Sequence, residues 1–173
     1  MIQKQEKSSF IILTNITKME KPKFVNKIEE MNDEELKKRI QFGMNFPIPH
    51  RIRPVPYMGR ECEVVEYVFD ELEARCPMTR IKDQYRVIIR FIPDKLIPEL
   101  KSLKLYYWDY EECLVPISHE HLAAKIYQDF KETIKPEIMY LKLEVAGRGE
   151  LYTTVRVGAM ALDKYEVRNY QNL

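Results

Sequence analysis

Cysteine is scarce in this chain. The three present, at positions 62, 76 and 113, follow none of the close pair spacings of structural zinc sites, and an odd count argues against a disulfide framework. That usage predicts a reducing, cytoplasmic setting. No apolar run approaches membrane-spanning length, and the opening MIQKQEKSSFIILTN lacks both a long apolar core and a small-residue cleavage pattern, so neither a span nor a secretory leader is expected. Neither sign of charge dominates: 28 basic residues face 27 acidic ones, and no global field selects nucleic acid as a partner. A glycine-rich dinucleotide loop of the doubly wound kind is missing, and three histidines do not specify a metal centre.

What is present is enough for one ordinary domain: 173 residues, 45% hydrophobic, with eleven tyrosines and seven phenylalanines whose flat surfaces suit strands, subunit contacts or a stacked ligand. The first sixty residues read differently from the rest. Asn32 can cap a short helix through Arg39 and Ile40, with Glu35 completing a reciprocal cap and Gly43 as the stop. Prolines 47, 49, 54 and 56 then deny a helix and favour an extended segment lying on the surface. Residues 1–60 are therefore expected to form an N-terminal arm or lid, and residues 61–173 the main domain.

In the main domain CEVVEYVFDEL and QYRVIIRFI (84–92) read as neighbouring antiparallel strands, joined by a CPMTRIKD connection long enough to carry a site. Pro93 and Pro98 close that unit. Lys101 to Tyr110 suits a helix presenting Leu103, Tyr107 and Tyr110, although its aromatic density also suits a strand. Ser118 is expected to cap a helix with Leu122, Ile126, Phe130 and Ile134 as its apolar stripe, ending before Pro136. Ile138–Ala146 and Leu151–Val157 then form a hairpin around Gly147-Arg148-Gly149. The β-β-α-α-β-β order predicts an α+β fold, an antiparallel sheet with two helices on one face.

The residues with chemical promise are Cys76, Asp83 and the pair His119-Glu120. A thiol attacks an electrophilic carbon only when deprotonated and aligned, so a nearby carboxylate or imidazole changes its meaning. Taken singly, each has a blander reading: Cys76 a small buried hydrophobe, Asp83 a turn cap, and Glu120 a favourable charge in a helix's first turn. Lys101 and Lys104, three apart, would be neighbours on a helix but point to opposite faces of a strand; a solvated basic face explains them as well as a site does. Cys62 and Cys113 have no such context.

The run Cys-Pro-Met-Thr-x-x-x-Asp at 76–83, Glu-Leu-Lys-Ser-Leu-Lys at 99–104 and His-Glu at 119–120, in this order, resembles the 7-cyano-7-deazaguanine reductase family. These are the nitrile reductases of queuosine biosynthesis, within the tunnelling-fold superfamily. The resemblance covers about Glu71 to Gly149 and gives little support to the first sixty residues. It implies that Cys76 attacks the nitrile to form a thioimide, that Asp83 transfers the proton beside it, that His119 is the adjacent active-site imidazole, and that Glu120 recognises the guanine-like edge. It also implies NADPH as cofactor, with Glu99, Lys101, Ser102, Lys104 and Arg148 contributing to its binding, no metal, and a homo-oligomer, a decamer of two pentamers being preferred, with active sites between subunits.

One departure is visible. The family's Arg-Gly-Gly segment reads Arg148-Gly149-Glu150 here, which places a carboxylate beside an expected anion site. Two other classes fit parts of the pattern. An amidinotransferase acting on deazaguanine-modified tRNA shares the thioimide chemistry but lacks the full lysine-rich motif, and a noncatalytic purine-binding protein needs Glu120 without an activated thiol.

Overall fold

Asn32 opens the first helix of the described residues because its side chain accepts the Glu35 N–H at 2.9 Å, satisfying one of the donors that a helix start leaves unpaired. The computed structural model describes residues 32–59, 64–148 and 150–164. Helix α1 (Asp33–Met44) is followed by a short strand β1 (Pro54–Pro56), and the body then runs β2 (Val65–Arg75), β3 (Lys82–Ile92), β4 (Leu96–Pro98), α2 (Leu100–Glu112), α3 (His119–Ile134), β5 (Ile138–Arg148) and β6 (Leu151–Gly158). A 3-10 turn, η1, spans Met160–Lys164. Cys62 and Gly149 lie outside the described residues.

The four long strands form one antiparallel sheet in the order β2-β3-β5-β6, with the expected two helices packed on one face. Alternation along β3 puts Asp83, Tyr85, Val87, Ile89 and Phe91 on that face. The apolar stripe of α3 meets them as its spacing predicts: Leu122, Ile126, Phe130 and Ile134 are essentially sealed from solvent. Lys101 to Tyr110 is helix, with Leu103, Tyr106, Tyr107 and Tyr110 buried, so packing rather than aromatic density decides its conformation. Among the described residues no helix is long and apolar enough to cross a membrane.

The opposite face of the sheet is laced with charge. Arg86 pairs with Asp70 at 2.9 Å, Lys142 with Glu144 at 2.6 Å, and Arg156 with Asp163 at 3.3 Å. Arg90 is bound to Glu66, both side chains 7% exposed, and donates to the Leu162 and Asp163 carbonyls of η1 at 3.1 and 2.9 Å.

The proline-rich segment is extended, as expected, and has a partner: β1 pairs antiparallel with β4. Gly43 does not stop α1. The helix runs on to Met44, and Gly43 is buried where the helix crosses the Pro116–Ile117 backbone. A Cβ there would overlap the Pro116 carbonyl oxygen and lie 3.3 Å from Ile117 Cα, so the position requires glycine for close approach rather than for its φ. Glu35 likewise serves another end than the expected reciprocal cap, since its carboxylate takes Arg39 Nε at 3.1 Å.

Gly43→Ala therefore sets a helix-propensity gain of up to ~1 kcal/mol against overpacking on rigid backbone, worth roughly 1–3 kcal/mol. The net expectation is a lower denaturant midpoint than wild type. An unchanged or raised midpoint would show that α1 is not seated as described.

Candidate active site

The Cys76 turn is built by backbone bonds at both of its ends. Cys76 N–H donates to the Ile81 carbonyl at 3.0 Å, and the Cys76 carbonyl accepts Arg80 N–H at 2.9 Å. Arg80 takes a left-handed φ of 59°, uncommon for a side-chain-bearing residue, which lets the chain fold back within six residues. Across the hairpin Arg75 pairs with Lys82 and Ala74 with Asp83. Cys76 follows directly on the end of β2, two residues beyond Ala74, which places it near Asp83 at the same end of the hairpin. Asp83 is only 3% exposed, so its carboxyl belongs to the interior and is no solvent-facing turn cap.

His119 arrives from the other side. Arg75 N–H donates to the Val115 carbonyl at 3.0 Å, and Ile117 N–H donates to the Arg75 carbonyl at 2.9 Å. The strand end that carries Cys76 is thereby stitched to the segment that launches α3. His119, the first residue of α3, shares a 3.0 Å hydrogen bond between its Nδ1 and the Tyr85 hydroxyl, with the two rings edge to face at 5.6 Å. Tyr85 is two residues along β3 from Asp83 and on the same face. Thiol turn, buried carboxylate, tyrosine and imidazole thus meet at one corner of the fold. Glu120, one residue on, is exposed in the first turn of α3 and available to a ligand outside the packed core.

Ser118 stands at the N-cap of α3 but makes no side-chain capping bond; its hydroxyl is shared with His121 Nδ1 at 2.6 Å. That contact ties the loop before the helix to its first turn. Cys113 is a contrasting thiol. Burial first, then the neighbouring Asp109 and Glu112 carboxylates, push it up to about 11, so it stays protonated at neutral pH and is a poor nucleophile.

The lysine-rich motif sits elsewhere. Glu99 caps α2, accepting from Lys101 N–H at 2.9 Å and Ser102 N–H at 2.7 Å, and those bonds hold its carboxyl below the usual range. The Ser102 hydroxyl donates to the Glu99 carbonyl at 2.7 Å and accepts Arg53 N–H at 2.9 Å. Glu99 and Ser102 thus shape the helix end and bind the extended segment to it, while Lys101 and Lys104 remain exposed cations on adjoining positions of α2. Lys104 Nζ lies 4.5 Å above the Trp108 ring. The far end of α2 reaches the Cys76 hairpin, where Glu111 meets Lys82 at 3.2 Å. Ten residues of helix place the Lys101 end roughly 15 Å from that contact. Arg148 ends β5, its register partner being Leu151 across the last hairpin.

Sequence reasoning missed Tyr85 and Arg39. Tyr85 shares parity with Asp83, the one signal that it belongs to the site. Arg39 lies four residues after Glu35 and four before Gly43, a charged residue within a helix face whose burial only the packed structure discloses.

These features define an α+β protein with a candidate site around the Cys76 turn, Asp83, Tyr85 and His119. A family model described as QueF-like protein matches residues 83–164. The NADPH-dependent 7-cyano-7-deazaguanine reductase of Caldanaerobacter subterraneus subsp. tengcongensis is 36% identical over 107 residues, covering 62% of this chain and 74% of that protein. The protein of the same name from Aquifex aeolicus is 37% identical over 94 residues, covering 54% and 71%. The chain belongs to the QueF-like family of NADPH-dependent 7-cyano-7-deazaguanine reductases, a family of oxidoreductases. A crystal structure of an archaeosine synthase QueF-Like in the apo form shares 19% identity at a TM-score of 0.46, covering 58% of this chain and 96% of that one, too slight a likeness to argue from.

Proposed function

We propose that this protein reduces the nitrile of 7-cyano-7-deazaguanine to an aminomethyl group, in the queuosine branch of tRNA modification, through a thioimide on Cys76. The observation that carries the reading is the corner itself: a cysteine turn closed by backbone bonds, a buried aspartate on the adjoining strand, and a tyrosine-bound histidine at the adjacent helix start. A nitrile carbon is electrophilic yet slow toward water. Cys76 sulfur adds to it, the thiol proton passes to Asp83, and the nitrile nitrogen becomes the nitrogen of a bent C=N group bound through sulfur. Asp83 then returns its proton to that nitrogen. His119, oriented by the Tyr85 hydroxyl, holds the bound ring against the corner. Exposed Glu120 takes two donors of the guanine-like edge, discriminating against bases that lack them.

The cations of α2 fit a dinucleotide's phosphates, because Glu99 and Ser102 are engaged in shaping the helix end while Lys101 and Lys104 face outward. Lys101 and Lys104 would hold NADPH there, with Arg148 as a further contact, and the cofactor would supply two hydrides per nitrile, one from each of two molecules. Since Lys101 lies about a helix length from the same chain's Cys76 hairpin, the motif serves a neighbouring copy, in keeping with a ring-forming homo-oligomer, decameric by preference, whose active sites lie between subunits. Residues 61–173 make the catalytic domain in this reading, with residues 1–60 an arm whose described part is laid against it.

The direct test follows NADPH absorbance and product mass together. Two NADPH consumed per aminomethyl product support the proposal; tRNA binding and amine consumption without NADPH oxidation would replace it with the amidinotransferase reading. In the same assay Asp83→Asn should lose roughly 10²- to 10⁴-fold in kcat with little change in fold, as expected for removing a general acid–base. Normal turnover would take Asp83 out of that role.

A further inference from the structure

The helix read from sequence as part of an arm delivers a buried charge to the catalytic turn. Arg39 is 1% exposed, which is rare for a cation and costly unless it is paired and hydrogen-bonded. Its Nε meets Glu35 Oε1 at 3.1 Å, and its Nη1 donates to the Pro77 carbonyl at 3.3 Å. Pro77 directly follows Cys76, so the guanidinium grips the Pro77–Met78 peptide, one step beyond the thiol-bearing residue. Two features show that α1 is placed for this contact. Gly43, four residues on, allows the helix onto the Pro116–Ile117 backbone, and that backbone is bonded to Arg75, directly before Cys76. Helix α1 therefore meets the chain after the cysteine directly, at Pro77, and the residue before it through the Pro116–Ile117 backbone.

We propose that Arg39 is a positioning residue for the Cys76 sulfur: its guanidinium spans Glu35 and the Pro77 carbonyl, fixing the turn that presents the thiol and adding a buried positive charge beside it. The inference rests on Cys76 being the nucleophile proposed above. The neighbouring Arg80 is consistent with the placement, since burial and then the Arg39 charge lower its guanidinium's proton affinity. The charged groups that packed elements bring to this corner are Glu35 and Arg39 from α1, Arg80 from the turn, Asp83 from β3, and His119 and Glu120 from α3. Lys82, beside it, is engaged with Glu73 and Glu111. Arg39 and Arg80 favour a thiolate; Glu35, Asp83 and Glu120 oppose it.

The test uses the full chain and two probes. Iodoacetamide labelling mapped to the Cys76 peptide, measured against pH, gives the thiol's titration midpoint, and intact mass after mixing with the nitrile gives the rate of adduct formation. Arg39→Met should slow adduct formation roughly 10- to 100-fold, the scale of a misplaced reacting group, and raise the labelling midpoint by roughly one unit, because a cation favouring the thiolate is gone. Arg39→Lys keeps the charge and loses the fork, so its midpoint should stay near wild type while the rate falls in between. Wild-type values of rate and midpoint in a folded Arg39→Met protein overturn the proposal. Should that variant fail to fold, Glu35→Gln decides: it loosens the grip on Nε, and an unchanged adduct rate overturns the proposal where a slowed one supports it. Iodoacetamide needs no nitrile chemistry, so a wild type that never forms the nitrile adduct defeats the thioimide reading while the labelling midpoint still tests Arg39.

Discussion

Cys76→Ala is expected to leave a folded protein in which nitrile reduction has fallen roughly 10³-fold or more, the scale seen when a covalent nucleophile is removed. Alanine keeps the backbone bonds that close the turn, Cys76 N–H to the Ile81 carbonyl and Arg80 N–H to the Cys76 carbonyl. The loss should therefore appear in kcat and not in thermal stability. Substrate binding through Glu120 should persist, since that carboxylate sits on a separate element. Cys113→Ala is the matched control. Its thiol, pushed up to about 11 by burial and two nearby carboxylates, contributes no nucleophile, and turnover should stay near wild type. NADPH consumption by Cys76→Ala at the wild-type rate would move the chemistry to another residue.

Glu66→Ala carries the largest expected stability effect. Glu66 and Arg90 are both nearly sealed on the charged face of the sheet, where the Arg90 guanidinium also ties β3 to η1 through two carbonyls. Removing one member of a buried pair strands the other's charge away from water, at a cost of roughly 3–5 kcal/mol. The two carbonyls and the Asp163 carboxylate, 3.9 Å from Arg90 Nη1, remain as partial compensation, which places the expectation at the lower end of that range. Glu66→Gln, which keeps an acceptor, should lose less. Denaturant titration at neutral pH reads both, and a Glu66→Ala loss below about 1 kcal/mol would mean that water or movement of η1 rescues Arg90.

Much of this architecture is written in local pattern. The alternation from Tyr85 to Phe91 and the four-residue stripe from Leu122 to Ile134 dictate one sheet and one covering helix, because each leaves a single apolar face. The site is legible only in part. Cys76 and Asp83 stand out as residue types, yet their approach depends on the register that sets Ala74 against Asp83, and no local signal fixes that register. Glu99 and Ser102 look like ligands in a string of charges and hydroxyls; only in three dimensions is it visible that they also build the start of α2. Gly43 reads as a helix stop because glycine usually ends helices, whereas here a backbone crossing from seventy residues away requires it. Arg39 is hardest to foresee, since a charged residue on a surface-like helix gives no hint that another segment will cover it.

The role of the arm follows from the same contacts. If α1 steadies the cysteine turn, residues 33–44 belong to the catalytic apparatus as much as the sheet does, and changes at Gly43 and Arg39 should be felt at Cys76 as well as in stability.

The most direct measurement of the central claim is the intact mass of the wild-type protein mixed with 7-cyano-7-deazaguanine in the absence of NADPH. A mass gain equal to the whole nitrile, with no leaving group lost, located on the Cys76 peptide and discharged as aminomethyl product when NADPH is added, is the predicted result. Full turnover with NADPH by a protein that never acquires that mass, and that keeps turning over with alanine at position 76, would contradict it.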